Sequence, residues 1–163
     1  MSQTCKILFL LDLDHTVIYG SFAATESATK LFQYHQYLAV YERPFARELI
    51  TQCNNQGDII VYTTALRRYA KRICNDLAIQ PLELLSRKNC PVIHGAHTKT
   101  LRPEWIANYE QLIIIDDSPN VWRNIPSEVQ FWVPTEFRGD QNDIGLLPIL
   151  NQFETLNHKS NTN

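Results

Sequence analysis

The sequence has no excess of charge of either sign: 15 basic residues stand against 17 acidic ones in 163, a formal net charge of −2. That excludes the global electrostatic footprint of a nucleic-acid-binding domain, so direct nucleic-acid binding is not expected and any phosphate recognition must be local. Long hydrophobic runs are missing too. Ile7 to Leu11 and Leu112 to Ile115 are the main apolar stretches, far below the roughly 20 residues that span a bilayer, which excludes membrane insertion. The 4 cysteines, Cys5, Cys53, Cys74 and Cys90, form no C-x-x-C pair, and there is no leader with a small-residue cleavage site. Reduced thiols in a cytoplasmic protein are the expectation. Internal repeats and low-complexity segments are also lacking.

What is present is an ordinary globular composition, 44% hydrophobic and 20% charged. The length predicts one domain over residues 1–157, able to build a core without disulfide or metal staples, and a frayed polar tail over 158–163. Ile7 to Leu11 is too short for a helix and too continuous for a strand wetted on one face, so it predicts a buried parallel strand. Asp12 ends it, at the carboxyl edge where open α/β sheets bind ligands. Asp14 follows two residues later and Thr16 two after that. A loop curving out of the sheet there brings both carboxylates into one crevice, one to attack and one to transfer a proton; the alternative is a plain Asx-turn.

The same logic recurs along the chain. Pro44 starts a helix through Cys53, and Ile59 to Tyr62 predicts a second buried strand running into Thr63 and Thr64. Apolar spacing predicts a helix over Ala65 to Leu77. Either threonine can cap that helix, or complete a phosphate cradle at its N-terminus. Arg67, Arg68, Lys71 and Arg72 ride on it as a solvated face or a source of positive potential. Gln33 to Tyr41 alternates as a strand or irregular hairpin carrying Tyr34, Tyr37 and Tyr41. Cys90, His94 and His97 lack the paired ligands of a structural zinc motif. Lys99 precedes a helix around Pro103 to Tyr109, and Leu112 to Ile115 predicts a third buried strand ending in Asp116 and Asp117. Carboxylates from neighbouring strand ends suit a hard cation such as Mg2+. Val129 to Val133 predicts a fourth strand, Glu136 to Asn142 a loop, and Ile144 to Leu156 a closing helix.

The landmarks D-L-D-H-T-V-I, E-R-P-F-A-R-E-L, I-I-V-Y-T-T-A-L-R-R-Y-A, L-S-R-K-N-C, T-K-T-L and I-I-I-D-D-S-P follow one another between residues 7 and 120. In that order they resemble the four motifs of the haloacid dehalogenase superfamily of phosphotransferases. The nearer resemblance is to the phosphatases acting on the C-terminal domain of RNA polymerase II and their small relatives, to whose last helix L-L-P-I-L is similar. The resemblance implies an α/β fold, a Rossmann-like parallel sheet with helices on both faces and no large cap domain.

By the same resemblance, Asp12 is the nucleophile that becomes an aspartyl-phosphate, and Asp14 is the acid that protonates the leaving oxygen and then activates water. Thr63 and Lys99 hold the phosphoryl oxygens, and Tyr69 and Arg87 approach the substrate. Asp12, the backbone carbonyl of Asp14, and Asp116 or Asp117 hold Mg2+, and the substrate is a phosphorylated protein or peptide. His15 departs from the family, which more often carries a small, amide or acidic residue there, and the segment before Arg43 is poorly matched. The superfamily also includes phosphotyrosine phosphatases, some of them delivered into host cells by bacterial pathogens. Tyr34, Tyr37, Tyr41 and Tyr69 can stack on a ring, so phosphotyrosine is expected to be accepted at least as well as phosphoserine. A metabolite phosphatase would need a cap for which the chain on either side of Thr63 is short. A silent phosphoprotein-binding module would not need both Asp12 and Asp14.

Overall fold

The structure is a computed structural model that describes residues 6–23 and 28–160. In chain order it runs β1 (Ile7–Leu11), β2 (Ile18–Ser21), β3 (Thr29–Tyr34), β4 (Leu38–Glu42), α1 (Ala46–Gln56), β5 (Gly57–Tyr62), α2 (Arg67–Asp76) and β6 (Glu83–Leu85). It continues through β7 (Val92–Ile93), β8 (Ala96–His97), β9 (Lys99–Thr100), α3 (Pro103–Asn108), β10 (Gln111–Ile115), β11 (Trp122–Arg123), β12 (Gln130–Trp132) and α4 (Leu147–Ser160). The main sheet has the order β12-β10-β1-β5-β6, and every neighbouring pair is parallel.

The unbroken apolar run of β1 has a direct cause. Phe9 and Leu11 pack with Leu49 and Cys53 of α1, Ala70 and Ile73 of α2, and Phe153 of α4. Leu8 and Leu10 face the other way, onto Trp105 of α3, Tyr62, Leu85 and Trp122. With both faces of the sheet covered, no position in the strand meets water. Truncating Leu8, Leu10, Leu11, Leu49 or Ile73 to alanine costs about 2–5 kcal/mol. Gly57, which opens β5, is needed for close approach, since a Cβ there would lie 2.3 Å from the carbonyl oxygen of Ile7.

Register sets the site. Leu11 is level with Val61 on one side and Ile115 on the other, so the residues after β1, β5 and β10 emerge together at the carboxyl edge. The chain between β1 and α1 forms a small antiparallel sheet in the order β2-β4-β3 instead of a large cap. The hairpin expected around Gln33 to Tyr41 is its β3–β4 pair, turning at His35 with φ 58°.

Several element ends differ from those expected. α1 starts at Ala46, because Phe45 sits in the left-handed region at φ 67°, and it runs on to Gln56. α2 starts at Arg67 instead of Ala65, because Leu66 is extended and the Ala65 carbonyl is taken by the Arg87 N–H at 2.8 Å. The closing helix begins later than expected, at Leu147, and continues through Ser160. It therefore takes in the first residues assigned to the polar tail, of which 161–163 lie outside the described residues.

Candidate active site

The turn after β1 is built on Leu13, which is fully buried and whose carbonyl accepts the N–H groups of Thr16, Val17 and Ile18 at 3.2, 2.9 and 3.1 Å. His15 takes φ 63°, and its N–H donates to the Ile18 carbonyl at 2.8 Å. This curl brings Asp12 and Asp14 to one cavity of about 130 Å³, shared with Lys99, Thr64, Asp116 and Asp117. The loop expected from D-x-D-x-T is thus the one observed.

Lys99 is 2% exposed and its Nζ donates to Asp12 Oδ1 and Asp116 Oδ2, each at 2.7 Å. Trp122 Nε1 donates to the same Asp116 oxygen at 2.8 Å, and the Ser118 N–H donates to Asp116 Oδ1 at 2.9 Å. Both oxygens of Asp116 are therefore engaged by protein. The Thr16 hydroxyl stands 3.2 Å from Asp12 Oδ2 and 3.1 Å from Asp117 Oδ1, and it accepts the Asp117 N–H at 3.1 Å. With one proton, it donates to one carboxylate at a time.

Burial raises the pKa of Asp12 to about 8, against the lowering effect of Lys99 and with a further push from Asp116. Burial also pulls Lys99 down, but Asp12 and Asp116 outweigh it and raise its pKa, so the ammonium stays charged. Two buried carboxylates therefore share one ammonium. Asp14 is raised as well, mainly by burial, with a hydrogen bond from the Tyr69 hydroxyl at 3.2 Å acting the other way. Gly20 makes room for that contact, because a Cβ there would come within 2.8 Å of the Tyr69 hydroxyl.

Among the described residues, Asp12, Asp116 and Asp117 are the one group of three or more His, Cys, Asp or Glu placed to hold an ion, with oxygens within 4.8 Å of one another. Hard oxygen donors and surplus negative charge fit Mg2+. The carboxylate of Asp14 is outside this group; only its backbone carbonyl was assigned to the cation from the sequence.

Thr63 is 1% exposed and caps no helix; its Oγ1 accepts the Ala65 N–H at 3.1 Å, forming a local turn, and the residue lining the cavity is Thr64. Arg87 lies at the edge of a second cavity, where its Nε donates to the Thr64 carbonyl at 2.8 Å. That cavity measures about 530 Å³, adjoins the first at Asp14, His15 and Thr64, and is walled by Tyr34, Tyr69, Leu38, Leu66 and Phe22. Tyr34 and Tyr69 meet edge to face at 5.0 Å. Tyr41 is 4% exposed and Tyr37 is 69% exposed, and neither lines the cavity, so of the four tyrosines only Tyr34 and Tyr69 are available to a ring. Trp122 carries no signal in the sequence that marks it for the site, and Ser118 is marked only as part of the landmark I-I-I-D-D-S-P. The indole reaches Asp116 because β11 pairs with β9, Trp122 opposite Lys99, and two-residue strands leave no periodic pattern.

A five-stranded parallel sheet with helices on both faces and acidic strand ends at one edge is consistent with a haloacid dehalogenase-like core. Residues 7–163 match the family described as NLI interacting factor-like phosphatase, and the chain belongs to that family. It is 27% identical over 161 residues to the CTD small phosphatase-like protein 2 of Dictyostelium discoideum, covering 93% of this chain and 27% of that one. It is 27% identical over 151 residues to an RNA polymerase II C-terminal domain phosphatase of Caenorhabditis elegans, covering 85% of this chain and 22% of that one. The chain thus spans less than a third of the length of these two relatives. The fission yeast RNA polymerase II CTD phosphatase Fcp1, solved as a variant bound to beryllium fluoride, shares the fold with a TM-score of 0.56 at 19% identity, over 93% of this chain and 50% of that one. No helix among the described residues is long and apolar enough to cross a membrane.

Proposed function

We propose that this chain is a Mg2+-dependent phosphoprotein phosphatase that works through an aspartyl-phosphate on Asp12. The observation that carries the reading is the division of labour at the carboxyl edge. Asp12 is bound by Lys99 in the acidic cluster, while Asp14 stands apart from it, raised in pKa and held by Tyr69.

In the first step an Asp12 carboxylate oxygen attacks phosphorus and the bond to the substrate oxygen breaks. That oxygen keeps the bonding pair and takes the proton of Asp14, which burial favours in its acid form. In the second step the Asp14 carboxylate takes a proton from water as the water oxygen attacks phosphorus. The bond to Asp12 breaks, releasing inorganic phosphate and restoring Asp12. Lys99 neutralises charge on Asp12 and on the phosphoryl oxygens, and Thr63, whose hydroxyl holds the turn behind the cavity-lining Thr64, is proposed for the same oxygens on the family resemblance alone. Asp12, Asp117 and the carbonyl of Asp14 are the residues that would hold the cation. Bound there, it supplies positive charge where carboxylates would otherwise repel a phosphate dianion.

The substrate reading follows from the second cavity. A phosphotyrosine holds its phosphate further from the backbone than phosphoserine does, and a space of about 530 Å³ with Tyr34 and Tyr69 in its wall gives the ring apolar faces to lie against. Arg87 at its rim is the substrate-contacting cation. The relatives' names point instead to the C-terminal domain of RNA polymerase II, so phosphoserine and phosphothreonine remain the second substrate class. Matched peptides differing only in the phosphorylated residue decide between them. We expect kcat/KM for phosphotyrosine to equal or exceed that for phosphoserine. A tenfold preference for phosphoserine, about 1.4 kcal/mol in transition-state binding, overturns that reading.

A further inference from the structure

We propose that Arg43, together with Asp143, is a positioning residue for the catalytic turn, fixing the backbone that carries Asp14 to Thr16 and so aiming the Thr16 hydroxyl at Asp12 and Asp117. The inference rests on the phosphatase reading, because turnover is its readout.

Arg43 is 0% exposed, and a guanidinium so placed needs its N–H groups paired. Nε donates to Asp143 Oδ1 at 2.7 Å, and Nη2 donates to Asp143 Oδ2 at 3.2 Å and to the Thr135 carbonyl at 2.8 Å. Nη1 donates to the Thr16 carbonyl at 3.0 Å. One rigid fork therefore joins the turn after β1 to the segment between β12 and α4. Nearby, Phe137 grips the same turn at two points: its N–H donates to the His15 carbonyl at 2.8 Å and its carbonyl accepts from His15 Nδ1 at 3.0 Å.

Burying an ion pair is a poor route to stability, since apolar replacements of similar volume are often as stable or more so. What the fork supplies is direction. Thr16 receives the guanidinium on its carbonyl and presents its hydroxyl to Asp12 and Asp117, so one residue separates Arg43 from the reacting carboxylate. Gly145 leaves the fork its space: a Cβ there would lie 2.1 Å from Arg43 Nη2 and 2.1 Å from Thr135 Oγ1.

The test compares Arg43→Lys, which has one ammonium in place of the fork, with Gly145→Ala, which displaces the guanidinium and keeps its charge. Turnover of p-nitrophenyl phosphate with Mg2+ is measured at a temperature where circular dichroism shows each variant folded. We expect kcat to fall tenfold or more in both, with KM changed by no more than about twofold. Adding Arg43→Lys to Thr16→Val should lower kcat little further, because Thr16 is the link. A folded Arg43→Lys or Gly145→Ala with wild-type kcat overturns the proposal, as does an additive double mutant, which signals a purely structural role. Should Arg43→Lys not fold, Gly145→Ala and the nearly isosteric Asp143→Asn decide by the same criterion. A wild-type chain without turnover refutes the phosphatase reading instead.

Discussion

Lys99 Nζ donates to Asp12 Oδ1 at 2.7 Å, in a pocket where neither side chain is appreciably wetted. The ammonium is the strongest influence holding Asp12 down against a burial that raises its pKa to about 8. Attack requires the ionised carboxylate, which Lys99 and a cation held at Asp12 would both favour, so the rate should fall once the solution is acid enough to protonate Asp12. Replacing Lys99 by Met should lower kcat roughly a hundredfold or more and move the acid limb of the kcat/KM profile to higher pH. Lys99→Arg should not restore it, for a planar guanidinium does not reproduce the single ammonium that donates to both Asp12 Oδ1 and Asp116 Oδ2. A Lys99→Met profile superimposable on wild type would contradict the assignment.

Asp14 titrates in the opposite sense. In the proposed mechanism it serves the first step as an acid, so activity should be lost as pH rises through its raised pKa, and the Tyr69 hydroxyl tempers that raise by stabilising the carboxylate. Tyr69→Phe should therefore carry the alkaline limb of kcat/KM on a phosphotyrosine peptide to higher pH. An alkaline limb that Tyr69→Phe leaves unmoved would mean that the limb does not report Asp14, and the proton-donor role would fall.

How much of this site was legible depended on the range of each contact. Asp12, Asp14, Lys99, Asp116 and Asp117 announced themselves because a polar group ending a continuous apolar run marks the edge of a parallel sheet, and Lys99 stands in a landmark between two such ends. Thr63 and Thr64 looked like caps of a helix from Ala65, yet the Arg87 N–H, far along the chain, takes the Ala65 carbonyl and delays the helix to Arg67. Arg43 read only as part of a landmark, since its partners Thr16 and Asp143 lie 27 and 100 residues away. The small sheet of β2, β3 and β4 was poorly legible because its strands are short, with a bulge between Lys30 and Phe32 breaking the alternation.

The two adjacent aspartates are separated by their partners. Asp116 has both oxygens engaged by Lys99, Trp122 and Ser118, whereas among the described residues the Asp117 carboxylate meets the hydroxyls of Thr16 and Ser118. On the proposed reading, Asp117 is accordingly the direct ligand. Asp117→Asn should raise the Mg2+ concentration for half-maximal activity, with kcat largely recovered at saturation, and calorimetry should show the weaker Mg2+ binding directly. Asp116→Asn should lower kcat at every Mg2+ concentration by loosening Lys99. Full activity in EDTA would refute the metal assignment altogether.

Cys90 lies beside the site and is the obvious rival nucleophile. It is buried, its Sγ stands 3.5 Å from the Thr63 carbonyl, and burial pushes its pKa up, so it remains a thiol. Cys90→Ala should keep most of the turnover, and iodoacetamide should inactivate slowly if at all. Rapid inactivation protected by phosphate would point to thiol chemistry.

The central claim is that Asp12 accepts the phosphoryl group, and Asp12→Asn tests it most directly, because an amide of the same shape cannot form the acyl-phosphate. Turnover of p-nitrophenyl phosphate by the folded variant in saturating Mg2+ should fall at least a thousandfold, about 4 kcal/mol in barrier, with an unchanged circular dichroism spectrum. Turnover within tenfold of wild type, in a preparation shown by mass spectrometry to retain the amide, would contradict the covalent mechanism.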